Sequence, residues 1–233
     1  MDNTASGECR WLSFPDRAAL EEAALGIILD SAAASIRERG CFRIVLSGGE
    51  VFHSLYARIP GISTDWSAWH IYFAYEYCMP PTKPELNFRL AQEAWFDRVS
   101  IPAEQIYAIP DDVRADKAAA AYAPLLAEVD LFDLTLLDLG EDGHVASLFP
   151  GNSWGAEPHS PDVLSIFNSP RRPPQRVSLS ASRLSRSRHV AFLVSGESKR
   201  RAVAAWRSGE DVPARAIMPE AGVDVLVEAA LLE

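Results

Sequence analysis

The sequence predicts an α/β protein built on a mainly parallel, doubly wound sheet with helices on both faces. Three observations carry that expectation. Short apolar runs such as "CFRIVL", "DLTLLDL", "HVAFLVS" and "VDVLV" read as strands buried on both faces. Segments with helical spacing lie between them. No internal repeat, low-complexity tract or long linker interrupts the alternation, so residues 1–233 read as a single domain.

Taken in order, Pro15 and Asp16 open an alanine-rich helix in which Leu20, Ala24, Ile27 and Ile28 recur at helical spacing, and Gly40 marks its end. "CFRIVL" follows as a strand and breaks at "SGG", with a helix expected from about Glu50. "WHIYFAY" is expected as one strand and "MPPTKPE" as a proline-rich loop. "LNFRLAQEAWFDRV" shows helical spacing through Phe88, Ala91 and Trp95. A helix over about Arg114–Glu128 leads into the strand "DLTLLDL". "VLSIF" is a strand, "NSPRRPPQR" a loop, "HVAFLVS" a strand, "SKRRAVAAW" a helix and "VDVLV" the last strand.

The 22 basic and 32 acidic residues leave a formal charge of −10, which argues against a nucleic-acid surface or an anionic membrane. Anionic small molecules stay admissible, because a few local cations govern a pocket. No window approaches the ~18 apolar residues of a membrane span. "MDNTASGECRW" lacks a basic start followed by an apolar stretch, so no secretory leader is expected. Cys9, Cys41 and Cys78 are odd in number and widely spaced. They read as ordinary thiols of a cytoplasmic protein rather than a disulfide framework or a zinc site. Nothing indicates an obligate protein partner.

In open parallel sheets, ligands bind beyond the carboxyl ends of the strands. Ser47–Gly49, Ala74–Tyr77 and Asp142–His144 stand at three such ends. Ser47, Gly48 and Gly49 lie between a strand and a helix, where backbone N–H groups turn toward an anion and the helix start adds partial positive charge. Taken alone, two glycines equally fit a tight turn, and the Glu50 carboxylate would repel a phosphate. In "EDGHVASLFPG", His144 is a candidate base and Asp142 its orienting carboxylate, two apart around the flexible Gly143. A histidine capping the next helix has the same spacing, and no second His or Cys lies at zinc-ligand spacing. Arg171, Arg172 and Arg176 sit on a stiff proline frame, with Lys199 at the start of a later helix. Guanidinium forks match phosphate oxygens, although a solvated basic loop reads the same way.

Together these segments resemble the 6-phosphogluconolactonase family of the glucosamine-6-phosphate isomerase/deaminase-like superfamily. "LLDLGEDGHVASLFPG" is similar to its signature Gly-x-Gly-x-Asp-Gly-His-x-Ala-Ser-Leu-Phe-Pro-Gly, with Asp138 in place of the first glycine. "LSGG", "NSPRRPPQRVSLS", "FLVSGESKRRAV" and "PEAGVDVLVEAAL" extend the likeness from about Phe14 to Leu232. The resemblance implies a Rossmann-like fold and hydrolysis of 6-phospho-D-glucono-1,5-lactone to 6-phosphogluconate in the oxidative pentose phosphate pathway, with no metal or organic cofactor. By motif position it implies His144 as the general base that activates water and Asp142 as its orienter. The backbone of Ser47, Gly48 and Gly49 would surround the phosphosugar, and Asn87 would shape its pocket. Gly143 would permit close approach to the lactone. Arg171, Arg176 and Lys199 would hold the phosphate, with Glu76 and Tyr77 also at the ligand.

The chain departs from this pattern in places. Where the family reads Gly-Asp-Glu-Arg, it has Ala74, Tyr75, Glu76 and Tyr77. Losing one well-placed donor to a developing oxyanion costs ~10²–10³ in rate, part of which a Tyr77 hydroxyl could recover. Glu50, Val51 and Phe52 replace the usual continuation of the glycine turn, and Leu86 replaces the Ser that commonly precedes the Asn. Three outcomes stay open: a working lactonase with altered contacts, a slow one, or a noncatalytic phosphosugar-binding protein that kept the fold. An aminosugar-phosphate deaminase is a further alternative, faintly suggested by "YEY", although Tyr75 would stand in place of its base.

Overall fold

Helix and strand boundaries fall where capping and branching chemistry place them. The computed structural model describes residues 8–233; the expectation about a leader falls largely on residues 1–7, which lie outside them. The Asp16 carboxylate accepts from the Ala19 N–H at 2.9 Å, opening helix α1 (Arg17–Arg39), and Gly40 closes it in the left-handed region at φ 74°. The helix lays Leu20, Ala24, Ile28 and Ala32 against the main sheet.

That sheet has six parallel strands in the order β1-β9-β8-β5-β2-β3. They are β1 (Cys9–Phe14), β2 (Phe42–Leu46), β3 (Trp69–Phe73), β5 (Leu134–Asp138), β8 (Val190–Val194) and β9 (Val223–Glu228). The four interior strands are apolar and buried nearly throughout, as a sheet covered on both faces requires. Strand β1 was not expected. It is a largely exposed edge strand whose apolar residues are interrupted by Arg10 and Ser13 and give no continuous apolar signal, and it pairs with β9 from Cys9↔Val223 to Phe14↔Glu228.

A second, antiparallel sheet of three strands, β4 (Tyr75–Tyr77), β6 (Val163–Ile166) and β7 (Arg176–Leu179), was also not expected. It forms because "WHIYFAY" is two strands rather than one. Ala74 divides them: its N–H donates to Leu46 O at 2.8 Å in the main sheet, and its carbonyl accepts from Leu179 N at 2.7 Å in the small one. The residue is fully buried, so the apolar run hides the change of sheet. Residues of both sheets belong to one apolar core, in which Trp69 meets Phe42 at 4.8 Å and Trp95 at 5.6 Å between ring centroids.

The other helices are α2 (Glu50–Arg58), α3 (Asn87–Ala94), α4 (Ala115–Tyr122), α5 (Ala181–Ser185) and α6 (Arg200–Ser208). The expected helix to Glu128 stops at Tyr122 because Pro124 carries no N–H, and the chain continues only as a 3₁₀ turn over Ala123–Leu126. No helix among the described residues is long and apolar enough to cross a membrane.

One buried carboxylate ties three segments together. Asp133, 2% exposed at its side chain, pairs with Arg39 at 2.9 Å and Arg188 at 3.5 Å, and accepts from the Arg43 N–H at 2.8 Å. Asp133→Ala is expected to cost about 1.5–3 kcal/mol in urea unfolding, the range for hydrogen bonds to charged groups. A loss too small to measure would mean that the two arginines are held by other contacts.

Candidate active site

Strand β5 lies between β8 and β2, so its end delivers the chain to the middle of the sheet's carboxyl edge. There the backbone closes a tight turn: Gly140 N–H donates to His144 O at 2.7 Å and Gly143 N–H to Gly140 O at 2.9 Å, with Gly143 at φ 85°. The imidazole folds back across this turn. A Cβ on Gly140 would stand 2.0 Å from His144 Nδ1, so only glycine admits the ring there.

His144 Nδ1 makes a short hydrogen bond to Asp142 Oδ1, and its ring stacks on Phe149 at 4.8 Å. An ionised carboxylate only accepts, so Nδ1 carries a proton, and in the neutral ring the lone pair is on Nε2. The side chain is 19% exposed, which leaves it reachable from solvent. Asp142 Oδ2 accepts from Arg171 Nε at 2.9 Å, and Arg171 also pairs with Glu141 at 2.7 Å. Burial pushes the Asp142 carboxyl up, but the bonds from His144 and Arg171 outweigh it and hold the group well below the usual carboxylate range.

Lys199 arrives at the same turn from the other side. Its Nζ lies 3.1 Å from Asp138 Oδ2 and donates to Leu139 O at 2.5 Å. Burial raises the Asp138 pKa, and Lys199 opposes the shift. The Asp138 carboxylate also faces the glycine turn, with Oδ2 at 3.2 Å from where a Cβ on Gly49 would stand. Arg171 and Lys199 thus converge on residues 138–142, each already paired with carboxylates.

Arg176 departs from the role expected of it. It is buried, and its guanidinium donates to Pro173 O at 3.0 Å, Arg171 O at 3.0 Å and Arg172 O at 3.2 Å. Its Cζ lies 4.8 Å from the Tyr77 ring centroid and 5.4 Å from that of Phe149. It therefore shapes the proline loop between two aromatic faces.

Glu76 likewise turns inward. Its buried carboxylate accepts from the N–H groups of Tyr77 at 3.0 Å, Asn87 at 3.0 Å and Phe88 at 2.8 Å. This caps α3, where Leu86 offers no side-chain acceptor. Burial outweighs the three donors and pushes the Glu76 pKa up to about 7.

At the end of β2, Ser47 is buried, with Oγ donating to Leu136 O at 2.8 Å and its carbonyl accepting from Tyr56 OH at 2.7 Å. Asn87 packs directly on Gly48 and donates from Nδ2 to Tyr75 O at 2.8 Å. Glu50 points away to an ion pair with Arg17 at 2.9 Å. Gly49, Tyr77 and Asn87 line a cavity of about 650 Å³, together with Lys83 and Arg172. A second cavity of about 450 Å³ reaches Asp142, Gly143 and Arg171.

The structure therefore gathers His144, Asp142, Gly143, Arg171 and Lys199 at one turn, and puts Gly49, Tyr77 and Asn87 on an adjacent wall. Lys83 was not singled out in sequence, and its signal was only a lone cation in a proline-rich loop at a strand end. Among the described residues, no group of three or more His, Cys, Asp or Glu is placed to hold a metal ion.

The profile of the glucosamine-6-phosphate isomerases/6-phosphogluconolactonase family matches residues 15–226. The chain is 34% identical over 203 residues to 6-phosphogluconolactonase 3, chloroplastic, of Arabidopsis thaliana, covering 79% of this chain but 62% of that one. A 6-phosphogluconolactonase of Nostoc sp. is 33% identical over 229 residues, covering 93% of this chain and 94% of the relative. The chain thus spans less than two thirds of the plant relative and nearly all of the cyanobacterial one. Among solved structures, a 6-phosphogluconolactonase from Shewanella baltica superposes with TM-score 0.84 at 26% identity, over 95% of this chain and 98% of that one. One from Thermotoga maritima shares the fold with TM-score 0.84 at 24% identity, over 94% of this chain and 98% of that one.

Two outcomes follow from the geometry. In Gly48→Ala the new methyl would fall 1.7 Å from Asn87 Oδ1, so Asn87 must leave its bond to Tyr75 O. Ligand affinity is expected to fall in calorimetry by about tenfold or more, the effect of a lost, well-aligned contact; an unchanged affinity would show that Asn87 does not shape the pocket. Because the Asp142 pKa is depressed on folding, its stabilisation is present above the unfolded aspartate value and is lost as the pH falls through the folded one. The difference in urea midpoint between the parent and Asp142→Asn is therefore expected to hold at neutral pH and shrink below about pH 4. A difference independent of pH would refute the charged pairing.

Proposed function

Because the chain belongs to the glucosamine-6-phosphate isomerase/6-phosphogluconolactonase family, we propose that it hydrolyses 6-phospho-D-glucono-1,5-lactone to 6-phosphogluconate. The single observation that carries the reading is the His144–Asp142 pair at the sheet's carboxyl edge. Asp142 keeps the proton on Nδ1, which leaves Nε2 free to accept one from water.

In this reading the water oxygen attacks the lactone carbonyl carbon while its proton passes to Nε2. The carbonyl π electrons move to oxygen, and a tetrahedral intermediate forms. On collapse, the bond from that carbon to the ring oxygen breaks. The ring oxygen leaves as a hydroxyl, taking the proton back from His144, and the new carboxylic acid ionises to water. Tyr77 supports the step as a neutral donor on the cavity wall, its ring fixed beneath the Arg176 guanidinium.

A second reading, a weakly active or noncatalytic phosphosugar-binding protein, has its own support. Tyr75 and Tyr77 stand where the family carries Asp and Arg, and the Arg171 and Lys199 charges are matched by Glu141, Asp142 and Asp138.

The test is hydrolysis of freshly generated 6-phosphogluconolactone above its spontaneous rate. His144→Ala is expected to lower kcat by ~10² or more with KM little changed, the usual size of a general-base contribution. A His144→Ala protein as fast as the parent would remove the imidazole from the mechanism. A parent that binds 6-phosphogluconate without turning over the lactone would favour the second reading.

A further inference from the structure

The Arg171 and Lys199 cations at the catalytic turn are each held by carboxylates of the turn itself. Arg171 is held by Glu141 and Asp142, and Lys199 by Asp138. Arg176 commits its Nε and Nη2 hydrogens to three backbone carbonyls. We propose that Asp138 is a specificity-determining residue: its carboxylate competes with an anionic ligand for Lys199, and so weakens the site's preference for a phosphorylated lactone over an unphosphorylated one. The proposal rests on the lactone-hydrolase reading and concerns how strongly that site selects for the phosphate.

The geometry makes Asp138 more than a surface partner. It is the last residue of β5, with its side chain 25% exposed and that of Lys199 17% exposed. The ammonium group has three hydrogens. Asp138 Oδ2 at 3.1 Å and Leu139 O at 2.5 Å engage it, with Asp138 Oδ1 at 3.4 Å. The same Oδ2 that pairs with Lys199 also lies 3.2 Å from where a Cβ on Gly49 would stand, and Gly49 belongs to the turn whose backbone is suited to an anion. A phosphate brought to Lys199 and this turn would meet a like charge a few ångströms away. In a partly desolvated site that repulsion is large on the scale of binding. The rest of the ligand is shared by the phosphorylated and unphosphorylated forms, so its own interaction with Asp138 cancels in the comparison.

A carboxylate that only braced the turn would alter affinity for every ligand alike. One that acts as a fixed counter-anion alters the ratio between phosphorylated and unphosphorylated ligands. The experiment therefore compares 6-phosphogluconate with gluconate by calorimetry for the parent, Asp138→Asn, Lys199→Met and the double variant. The same proteins are assayed on 6-phosphogluconolactone and glucono-1,5-lactone. Asp138→Asn keeps the shape and removes the charge. It is expected to tighten 6-phosphogluconate by about tenfold or more while gluconate changes by less than about twofold, and the gain should vanish without Lys199.

No gain for the phosphorylated ligand, an equal gain for both ligands, or a gain that survives in the double variant would each overturn the proposal. Asp138→Gly, with the whole side chain removed, serves as the second variant if the amide disturbs folding, and the same outcomes apply to it. If the parent hydrolyses neither lactone, the hydrolytic reading falls, and the calorimetric comparison still decides the role of Asp138.

Discussion

The carboxylate of Asp142 is divided between two partners, and the site is organised by that division. One oxygen fixes the imidazole of His144, and the other takes the guanidinium of Arg171. The first bond sets the tautomer. The second fastens the proline loop to the turn after β5. Charge-assisted hydrogen bonds of this kind are stronger and more directional than neutral ones, so a single group fixes both the orientation of the imidazole and the position of the proline loop. Arg176 continues the same logic one step outward, gathering the carbonyls of residues 171–173 beneath two aromatic rings.

The electrostatic character of the site follows from where its charges originate. Asp138, at the end of β5, and Glu141 and Asp142, on the turn after it, lie within five residues, whereas their cationic partners come from the proline loop and from the segment leading into α6. The acids are local and the bases are brought in by the fold. Neutralisation therefore depends on tertiary structure and joins distant segments at one point. The adjacent cavity is different in kind: Lys83 and Arg172 reach it from two proline-rich loops, and Gly49, Tyr77 and Asn87 line it as well.

Much of this was legible in the sequence, for identifiable reasons. The parallel strands announced themselves as apolar runs, and α1 was bracketed by Asp16 and Gly40, whose cap chemistry is local. His144 and Asp142 were legible because a two-residue spacing constrains where their side chains meet. The missed features depend on partners remote in sequence. The change of sheet at Ala74 is set by Leu46 and Leu179, neither of which marks the alanine. Glu76 looked like a ligand contact because nothing in "YEY" reveals that the α3 N-terminus would close over it. The arginines and Lys199 could be recognised as cations, but not as cations already matched, since the pairing spans 29 to 61 positions.

Strand β1 carries a consequence of another sort. It pairs with β9 along its whole length, and Arg10 meets Asp224 at 2.7 Å across 214 positions of chain. Because β9 lies between β1 and β8, the early strand has no neighbour until the late one has been synthesised. Such a distant pairing is slow to close, and its loop entropy must be met before any contact repays it. During translation the nascent polypeptide therefore emerges from the ribosome with β1 unpartnered, a template for chaperones or for misassociation until the final strand slots into place.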